Sequence, residues 1–483
     1  MDSTYDVVII GGGPAGYRAA ETLGNLGRKV LLVEGALLGG TCLNVGCVPT
    51  KTLLNSAKLY VHALEGERFG VKAESVSFDL GKMMAWKREV VDKLRAGIAA
   101  EMKHAKVEVV AGSATIVSPG RVSIALLESP AGQGSAANTV GCRAILACTG
   151  SSPMMPPIPG LRDNPLVLDS TGILEVTAVP KRLCVIGGGV IGVEFASLFS
   201  SLGSQVTVVE MMDEIVPFMD ADLAPVLRRA MPAIKWKLGC KVTSIDKGPG
   251  EGATLRYSTK EGAEESVEAD LILAAIGRRP NTEGWGADKI SLDRSPKGVA
   301  ADARMRTNVP GIWAAGDLVG KSQLAHSAYR MAEVAAADID AVLSTGPEAR
   351  EGHAGGDQIM RWDAIPWAVY SLPEAAGVGM TEKEATSRGF SVKCARIPLR
   401  ASGRFAAENG FQAQGAVKLV SDAATGRILG LHGVGSYASE AIWGGVALIE
   451  QEMRIKDLVE LVLPHPTVWE LVRDAARQIA SKS

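Results

Sequence analysis

Apolar positions along this chain gather in short, nearly uninterrupted runs broken by glycine. Near the start, "VVII" leads into "GGGPAGYRAAETLGNLG" and then "KVLLVE". Runs this short and uniform predict strands buried on both faces, and the longer mixed segment between them predicts a helix. The same order of strand, glycine turn, helix and strand returns near the middle as "LCVIGGGVIGVEFASLFSSLGSQVTVVE". Shorter runs in "AAIG" and "GIWAA" each predict one buried strand. Towards the end the pattern changes to "GAVKLVSD" and "RILGLHGVG", two strands joined by a turn, followed by a helix from about Ser439 and another after Ile455.

The two long repeats agree in register. Gly11, Gly13 and Gly16 correspond to Gly187, Gly189 and Gly192, and an acid, Glu34 or Glu210, ends the second strand 23 positions after the first glycine in both copies. The first glycine turns the chain tightly, the second lets backbone approach a pyrophosphate, and the third packs helix on strand. Phosphates then sit at the helix start, beside Pro14 and Ala15 in one copy and Val190 and Ile191 in the other, while the acid binds ribose hydroxyls. One such fingerprint alone is weak evidence, since an ordinary strand-to-helix turn also fits it; two in full context predict two dinucleotide sites. No arginine follows Glu210 in "MMDEIVP", so the second site reads as NAD rather than NADP. The first reads as FAD, because "TNVPGIWAAGDL" ends a short strand with Gly316 and Asp317, the acid being placed to bond the flavin's sugar-like chain.

The expected fold class is therefore α/β, with two Rossmann-like domains and a C-terminal α+β domain. The FAD domain is expected over residues 1–150 and again over 280–352, the NAD domain over 151–279, and the last domain over 353–483. "GSSPMMPPIPG" and "AAIGRRPNTEG" mark the crossings, and the polar "STGPEAREGHAGGDQ" the final linker.

Bulk composition narrows the partners. The 483 residues exceed what one core serves, 22% are charged, and the formal net charge of -2 provides no field for nucleic acid or an anionic membrane. No apolar run reaches the roughly 18 residues of a membrane span, and the N-terminus enters a strand almost at once, so no membrane, no signal peptide and a cytoplasmic setting are expected. Seven scattered cysteines do not form a secreted disulfide framework, and no pair of C-x-x-C units suggests a metal site.

Chemistry concentrates in "GGTCLNVGCVPTK", where Cys42 and Cys47 stand five positions apart. In a regular helix that spacing is a rise of about 7.5 Å, beyond the roughly 4.4–6.8 Å between Cα atoms that a disulfide spans. Bridging the pair requires a distorted turn, which Gly46 permits, and such a small loop is easy to reduce. Two unpaired core cysteines are the alternative. Near the other end, "LPHPTVWE" places His465 five residues before Glu470, an imidazole with a carboxylate able to orient it. His62, His104, His353 and His432 have no chemical context, His326 reads as structural or flavin-adjacent, and Cys142, Cys148, Cys184, Cys240 and Cys394 read as core or strand residues.

"GGTCLNVGCVPTK", "GGGPAGYRAA", "GGGVIGVEFA", "AAIGRRPNT" and "GDLVGKSQLAHSA" together resemble the flavin disulfide oxidoreductases over essentially the whole chain. "LAH" at Leu324 to His326 and Tyr17 favour the dihydrolipoamide dehydrogenase branch. The resemblance implies that a dihydrolipoyl thiol, deprotonated by His465, attacks Cys42, that Cys47 becomes the thiolate against the flavin, and that hydride passes from FAD to NAD. It also implies FAD contacts from Gly40, Thr41, Ala114, Thr149, Gly150 and Ala325, NAD-side contacts from Val242 and Gly277, and flavin-flanking places for Lys51 and Glu194. A symmetric homodimer follows from it, with the last domain as the interface and the histidine serving the other subunit, as do two kinds of partner: lipoyl domains of 2-oxo acid dehydrogenase complexes or a glycine-cleavage carrier protein.

Some positions depart from that pattern. Leu463 and Pro464 replace a usual His and Ala, Trp469 adds bulk beside the base, and Cys148 replaces an Ala. A reshaped channel is expected from the first three. Two other functions stay open on these grounds: an NADH-linked reductase of another small disulfide, and a catalytically silent flavin-binding assembly subunit.

Overall fold

A computed structural model describes residues 4–127, 138–248, 250–345 and 358–481. His353 and most of the predicted final linker lie outside them. The chain divides into two compact units. The first comprises Met1–Thr52, Met84–Met154 and Arg278–Arg361, and the second Leu53–Met83, Met155–Gly277 and Trp362–Ser483.

In the first unit, β1 (Thr4–Ile10), α1 (Pro14–Asn25) and β2 (Val30–Glu34) form the unit expected from the glycine fingerprint. β1 is the middle of a parallel sheet, flanked by β2 and by Asn138–Ala147, with Glu108–Ser118 beyond β2 and Ile312–Ala314 beyond Asn138–Ala147. Central position explains its composition: Val7, Val8 and Ile9 are fully buried, so both faces must be apolar. Arg121–Leu126 runs antiparallel to Glu108–Ser118 and to the start of Asn138–Ala147. The strand "GIWAA" thus joins a sheet begun more than 300 residues earlier. Helix Ala325–Thr345 packs along α1, with ion pairs from Arg18 of α1 to Glu333 (3.2 Å) and from Arg28, just beyond α1, to Asp340 (2.7 Å). After β2 the chain makes α2 (Gly40–Val45) and α3 (Cys47–Glu65).

The second unit holds a parallel sheet in the order Lys235–Lys237, Gln205–Val209, Arg182–Ile186, Leu271–Ala274, Val167–Leu168. An antiparallel meander, Lys241–Lys247, Ala253–Ser258 and Glu264–Ala269, covers part of it, with Leu255 and Tyr257 in their shared core. The C-terminal part is a five-stranded antiparallel sheet in which Ala416–Asp422 and Ile428–Val434, the two strands expected from the pattern, are central neighbours. Helices Ala438–Glu450 and Leu471–Ser481 bury Ile442, Leu448, Val472 and Ile479 in the core of this sheet. The helix expected after Ile455 ends at Glu460, so the segment carrying His465 is a connection between helices.

Lys418 joins the C-terminal sheet to the loop that follows Gln205–Val209. Its ammonium, on a side chain 3% exposed, donates to Asp220 (2.9 Å), Asp222 (2.6 Å) and Glu382 (2.6 Å). A buried cation is tolerated when each of its protons has such an acceptor.

Candidate active site

The two glycine turns are the same structure twice. Gly11 (φ +101°) and Gly187 (φ +104°) lie in the left-handed region, where a side chain at either would also strike backbone, the carbonyl of Cys148 at 2.3 Å or of Ala275 at 2.4 Å. At Gly16 and Gly192 an added Cβ would lie 1.8 and 1.9 Å from the carbonyl oxygens of Gly11 and Gly187, so only glycine lets helix meet strand there. Around Gly189 nothing lies within 4 Å of that position, and at Gly13 only the Cα of Gly40 does, at 3.7 Å. Each helix that follows, α1 and Val190–Ser201, has no acidic residue in its first turn. Open space at a positive helix end is what a pyrophosphate requires, and both turns fit one.

Glu34 accepts from the amide of Gly12 (2.5 Å) and from Ala36 (2.7 Å); Glu210 accepts from Gly188 (2.5 Å) and Met212 (2.6 Å). Each acid therefore clamps its own turn. Val242, buried, lies on the meander of the second unit, and Gly277 (φ +120°) ends that unit's Met155–Gly277 segment. Glu194, also buried, accepts from the amide of Tyr370 (3.0 Å).

Beside the first turn, three segments of the first unit are tied together. Thr149 donates to the carbonyl of Asn281 (2.8 Å), the amide of Asn281 donates to Gly150 (2.9 Å), and Ser151 donates to Asp317 (2.5 Å). Arg278 bonds the hydroxyl and carbonyl of Ser151 (2.8 and 2.6 Å) and reaches Thr41 at 3.4 Å. Burial pushes the Asp317 carboxyl up, against the Ser151 hydrogen bond and the Arg278 charge. Ala114 is buried on Glu108–Ser118 and Ala325 opens helix Ala325–Thr345. Sequence reading assigned no role to Ser151, Arg278 or Asn281. The stretch "AAIGRRPNTEG" reads in sequence only as a crossing between domains.

Cys42 lies on α2 and Cys47 begins α3. Gly46 (φ −140°, ψ −110°) breaks the helix between them, and a Cβ there would be 2.8 Å from the Thr41 carbonyl and 3.2 Å from the Cys42 Cα. That close approach brings the sulfurs together. The Cys42 thiol is pushed up first by its hydrogen bond with Cys47, then by burial, while the Lys51 ammonium, one turn further along α3, opposes both. The two thiols are hydrogen-bonded neighbours rather than unrelated core cysteines. The other five thiols are raised by burial, with Cys142, Cys184 and Cys394 on strands.

In the second unit, His465 is 80% exposed and its Nδ1 lies 3.1 and 3.0 Å from the two Glu470 oxygens. The Thr467 amide holds the same carboxylate at 3.1 Å. With Nδ1 engaged, Nε2 faces outward as an acceptor. Trp469 packs its indole against the C-terminal sheet. Its indole donates to the Ser436 carbonyl (3.0 Å) and packs on Gly433, where an added Cβ would lie 2.5 Å from the ring. His432 is fully buried, bonded through Nε2 to the Met380 carbonyl (3.0 Å), and burial lowers its pKa.

Residues 5–332 match the pyridine nucleotide-disulphide oxidoreductase family, and residues 365–476 match that family's dimerisation domain. The chain belongs to this family. A pyridine nucleotide-disulphide oxidoreductase of this kind is an FAD- and NAD-dependent enzyme, and its C-terminal sheet is a dimerisation domain. Among similar proteins, the dihydrolipoyl dehydrogenase of Thermus scotoductus is 38% identical over 99% of this chain and 97% of its own. Dihydrolipoyl dehydrogenase 3 of Pseudomonas aeruginosa is 38% identical over 100% and 99%. LpdA from Mycobacterium tuberculosis has a similar solved structure (TM-score 0.84, 26% identity, 98% and 99% covered). So has the HOCl-induced flavoprotein disulfide reductase RclA from Escherichia coli in its Cu(II) complex (0.83, 26%, 99% and 100%). Among the described residues no helix is long and apolar enough to cross a membrane, and no three His, Cys, Asp or Glu side chains converge to hold a metal.

Proposed function

We propose that this oxidoreductase is a dihydrolipoamide dehydrogenase. The reading rests on a hydrogen-bonded thiol pair, Cys42 and Cys47, across the break at Gly46, directly after a dinucleotide fingerprint, in a chain similar from end to end to dihydrolipoyl dehydrogenases. We assign FAD to the turn of Gly11, Gly13 and Gly16, with Glu34, Thr149, Gly150 and Asp317, and NAD to the turn of Gly187, Gly189 and Gly192 with Glu210. Domains follow the same division: residues 1–150 with 280–352, 151–279, and 353–483.

In the oxidised enzyme Cys42 and Cys47 form a disulfide. His465, steadied through Nδ1 by Glu470, takes a proton from one substrate thiol at Nε2. The resulting thiolate attacks Cys42, breaking its bond to Cys47, which leaves as a thiolate. The second substrate thiol then displaces Cys42, releasing oxidised lipoyl and leaving both cysteines reduced. FAD, when bound, supplies the acceptor for that electron pair and the route by which it reaches NAD as hydride. Because His465 lies open on the dimerisation domain, we assign it to the disulfide of a partner subunit in a two-fold dimer. The expected compartment is the cytoplasm, and the expected partners are lipoyl domains or a glycine-cleavage carrier protein.

Leu463 and Pro464, beside the base, favour one second reading, a reductase of another small disulfide. Turnover of lipoamide, glutathione disulfide and coenzyme A disulfide with NADH and NADPH separates the two. Lipoamide with NADH should dominate, and Cys42→Ser should abolish that activity while keeping bound flavin. A clear preference for another disulfide would replace the first reading with the second.

A further inference from the structure

The segment that carries His465 lies between two helices, Ile455–Glu460 and Leu471–Ser481, and the imidazole on it is 80% exposed. Among the described residues Glu470 is the hydrogen-bond partner of that imidazole, one position before the second helix begins. The direction of the ring therefore depends on where the Glu470 carboxylate is held. Thr467 helps from within the segment: its amide donates to Glu470 (3.1 Å) and its hydroxyl to the Pro464 carbonyl (3.0 Å). Those bonds close the turn on itself without fixing it to the domain.

Two side-chain hydrogen bonds tie the segment to other elements among the described residues. Buried Ser402, at the start of helix Gly403–Asn409, donates to the Thr467 carbonyl (3.1 Å), and the Trp469 indole N–H donates to the Ser436 carbonyl (3.0 Å). Trp469 precedes Glu470 directly, so its anchor lies closest to the carboxylate. The ring also has a notch to occupy. Gly433 lies on Ile428–Val434, the middle strand of the C-terminal sheet, and a Cβ there would stand 2.5 Å from Cη2 and 3.1 Å from Cζ2 of the indole. An indole combines one N–H donor with a large flat apolar surface, so this single side chain supplies a directed bond and packing together. Val468 and Leu471, on either side, are buried in the core of the same sheet.

We propose that Trp469 is a positioning residue for the dithiol half-reaction: the Ser436 bond and the Gly433 notch hold the chain at Trp469 so that Glu470 meets Nδ1 of His465 and leaves Nε2 directed outward to the substrate thiol. The proposal rests on the assignment of His465 as the base. Trp469 acts through Glu470 and not on the substrate. A displaced carboxylate misdirects the imidazole, and misalignment of a reacting group is costly even when its cause lies outside the chemistry.

The test uses holoenzyme with Trp469→Phe, which keeps a ring for the notch and removes the N–H, and with Gly433→Ala, which keeps every polar group and fills the notch. Each is made alone and together with Glu470→Gln. kcat/KM for dihydrolipoamide is compared with NADH-to-ferricyanide transfer, and deuterium uptake by the peptide covering residues 463–470 is followed by mass spectrometry. One neutral hydrogen bond is equivalent to about a fivefold change in an equilibrium. Trp469→Phe should therefore lower the dithiol kcat/KM about fivefold, leave ferricyanide transfer unchanged and speed uptake at residues 463–470, and Gly433→Ala should act in the same way. In the Glu470→Gln background neither substitution should lower the dithiol rate further, since the group they position is already gone. Losses that multiply in the double variants overturn the proposal, as does uptake in Trp469→Phe that superimposes on wild type. If wild type itself does not turn over dihydrolipoamide, the substrate reading fails instead, and the uptake traces still decide whether Trp469 holds the segment.

Discussion

Replacing Lys418 by Met isolates a buried charge. Lys418 and Asp220 have side chains 3% and 2% exposed, whereas Asp222 and Glu382 are 52% and 50% exposed. Without the ammonium the two exposed carboxylates can turn to water, and each loses only the ~0–1 kcal/mol of a surface pair. Asp220 cannot. It keeps the amides of Asp222 and Glu382, both at 3.1 Å, but no counter-ion. Breaking a buried pair from one side costs about 3–5 kcal/mol, and the two retained amides place this case near ~3 kcal/mol, or roughly 6–12 °C in Tm for a unit of this size. Burial works against Asp220, yet the Lys418 hydrogen bond and the two amides hold its carboxyl below the ordinary value of 3.8. Burial likewise opposes Lys418, and its three carboxylate bonds still raise it above 10.5. The depressed carboxyl contributes stability above its unfolded pKa, lost as pH falls through the lower folded value; the raised ammonium contributes below its unfolded pKa, lost as pH rises through the higher folded one. Wild-type stability from this cluster is thus level between about pH 4 and 10. In the variant Asp220 regains stability by taking up a proton, so the gap should narrow on acidification towards pH 5. Urea unfolding at pH 5, 7 and 9 measures it, and Lys418→Met with Asp220→Asn should recover most of the loss. A deficit below about 1 kcal/mol at pH 7, or no recovery in the double variant, would refute the argument.

Further expectations concern cofactors and the base. Gly16→Ala drives a Cβ to 1.8 Å from the Gly11 carbonyl and should yield protein that purifies without flavin, while Gly192→Ala, with the same clash in the second turn at 1.9 Å, should purify yellow and bind NAD at least tenfold more weakly. Absorbance spectra and NAD titration check both, and a yellow Gly16→Ala enzyme of normal affinity would contradict the assignment of the first turn. His465→Gln should slow the dithiol half-reaction by about 10²–10⁴, the usual worth of a general base, with far less effect on hydride exchange with NAD. Glu470→Gln should give a smaller loss of the same kind, and stopped-flow traces of the two half-reactions distinguish the outcomes.

What could be read without coordinates was local and periodic. The paired glycine turns were legible because each residue answers a constraint within a few positions: a left-handed φ at Gly11, a helix-to-strand contact at Gly16, an acid at the end of the next strand. Cys42 and Cys47 were legible for the same reason, their spacing demanding a break that Gly46 makes. His465 and Glu470 stand within one short segment, and their bond closes there.

The long-range polar contacts were invisible. Asp220, Glu382 and Lys418 converge from three separate strands of chain, Thr41, Ser151, Arg278 and Asp317 from four, and Tyr17 and Tyr329 across more than 300 positions. No period or spacing relates them, because a hydrogen bond between distant segments depends on how sheets and helices stack, not on rise per residue. Trp469 shows the same limit in one side chain. Its place beside His465 in the sequence suggests bulk at the base and gives no sign of its contacts with Gly433 and the Ser436 carbonyl.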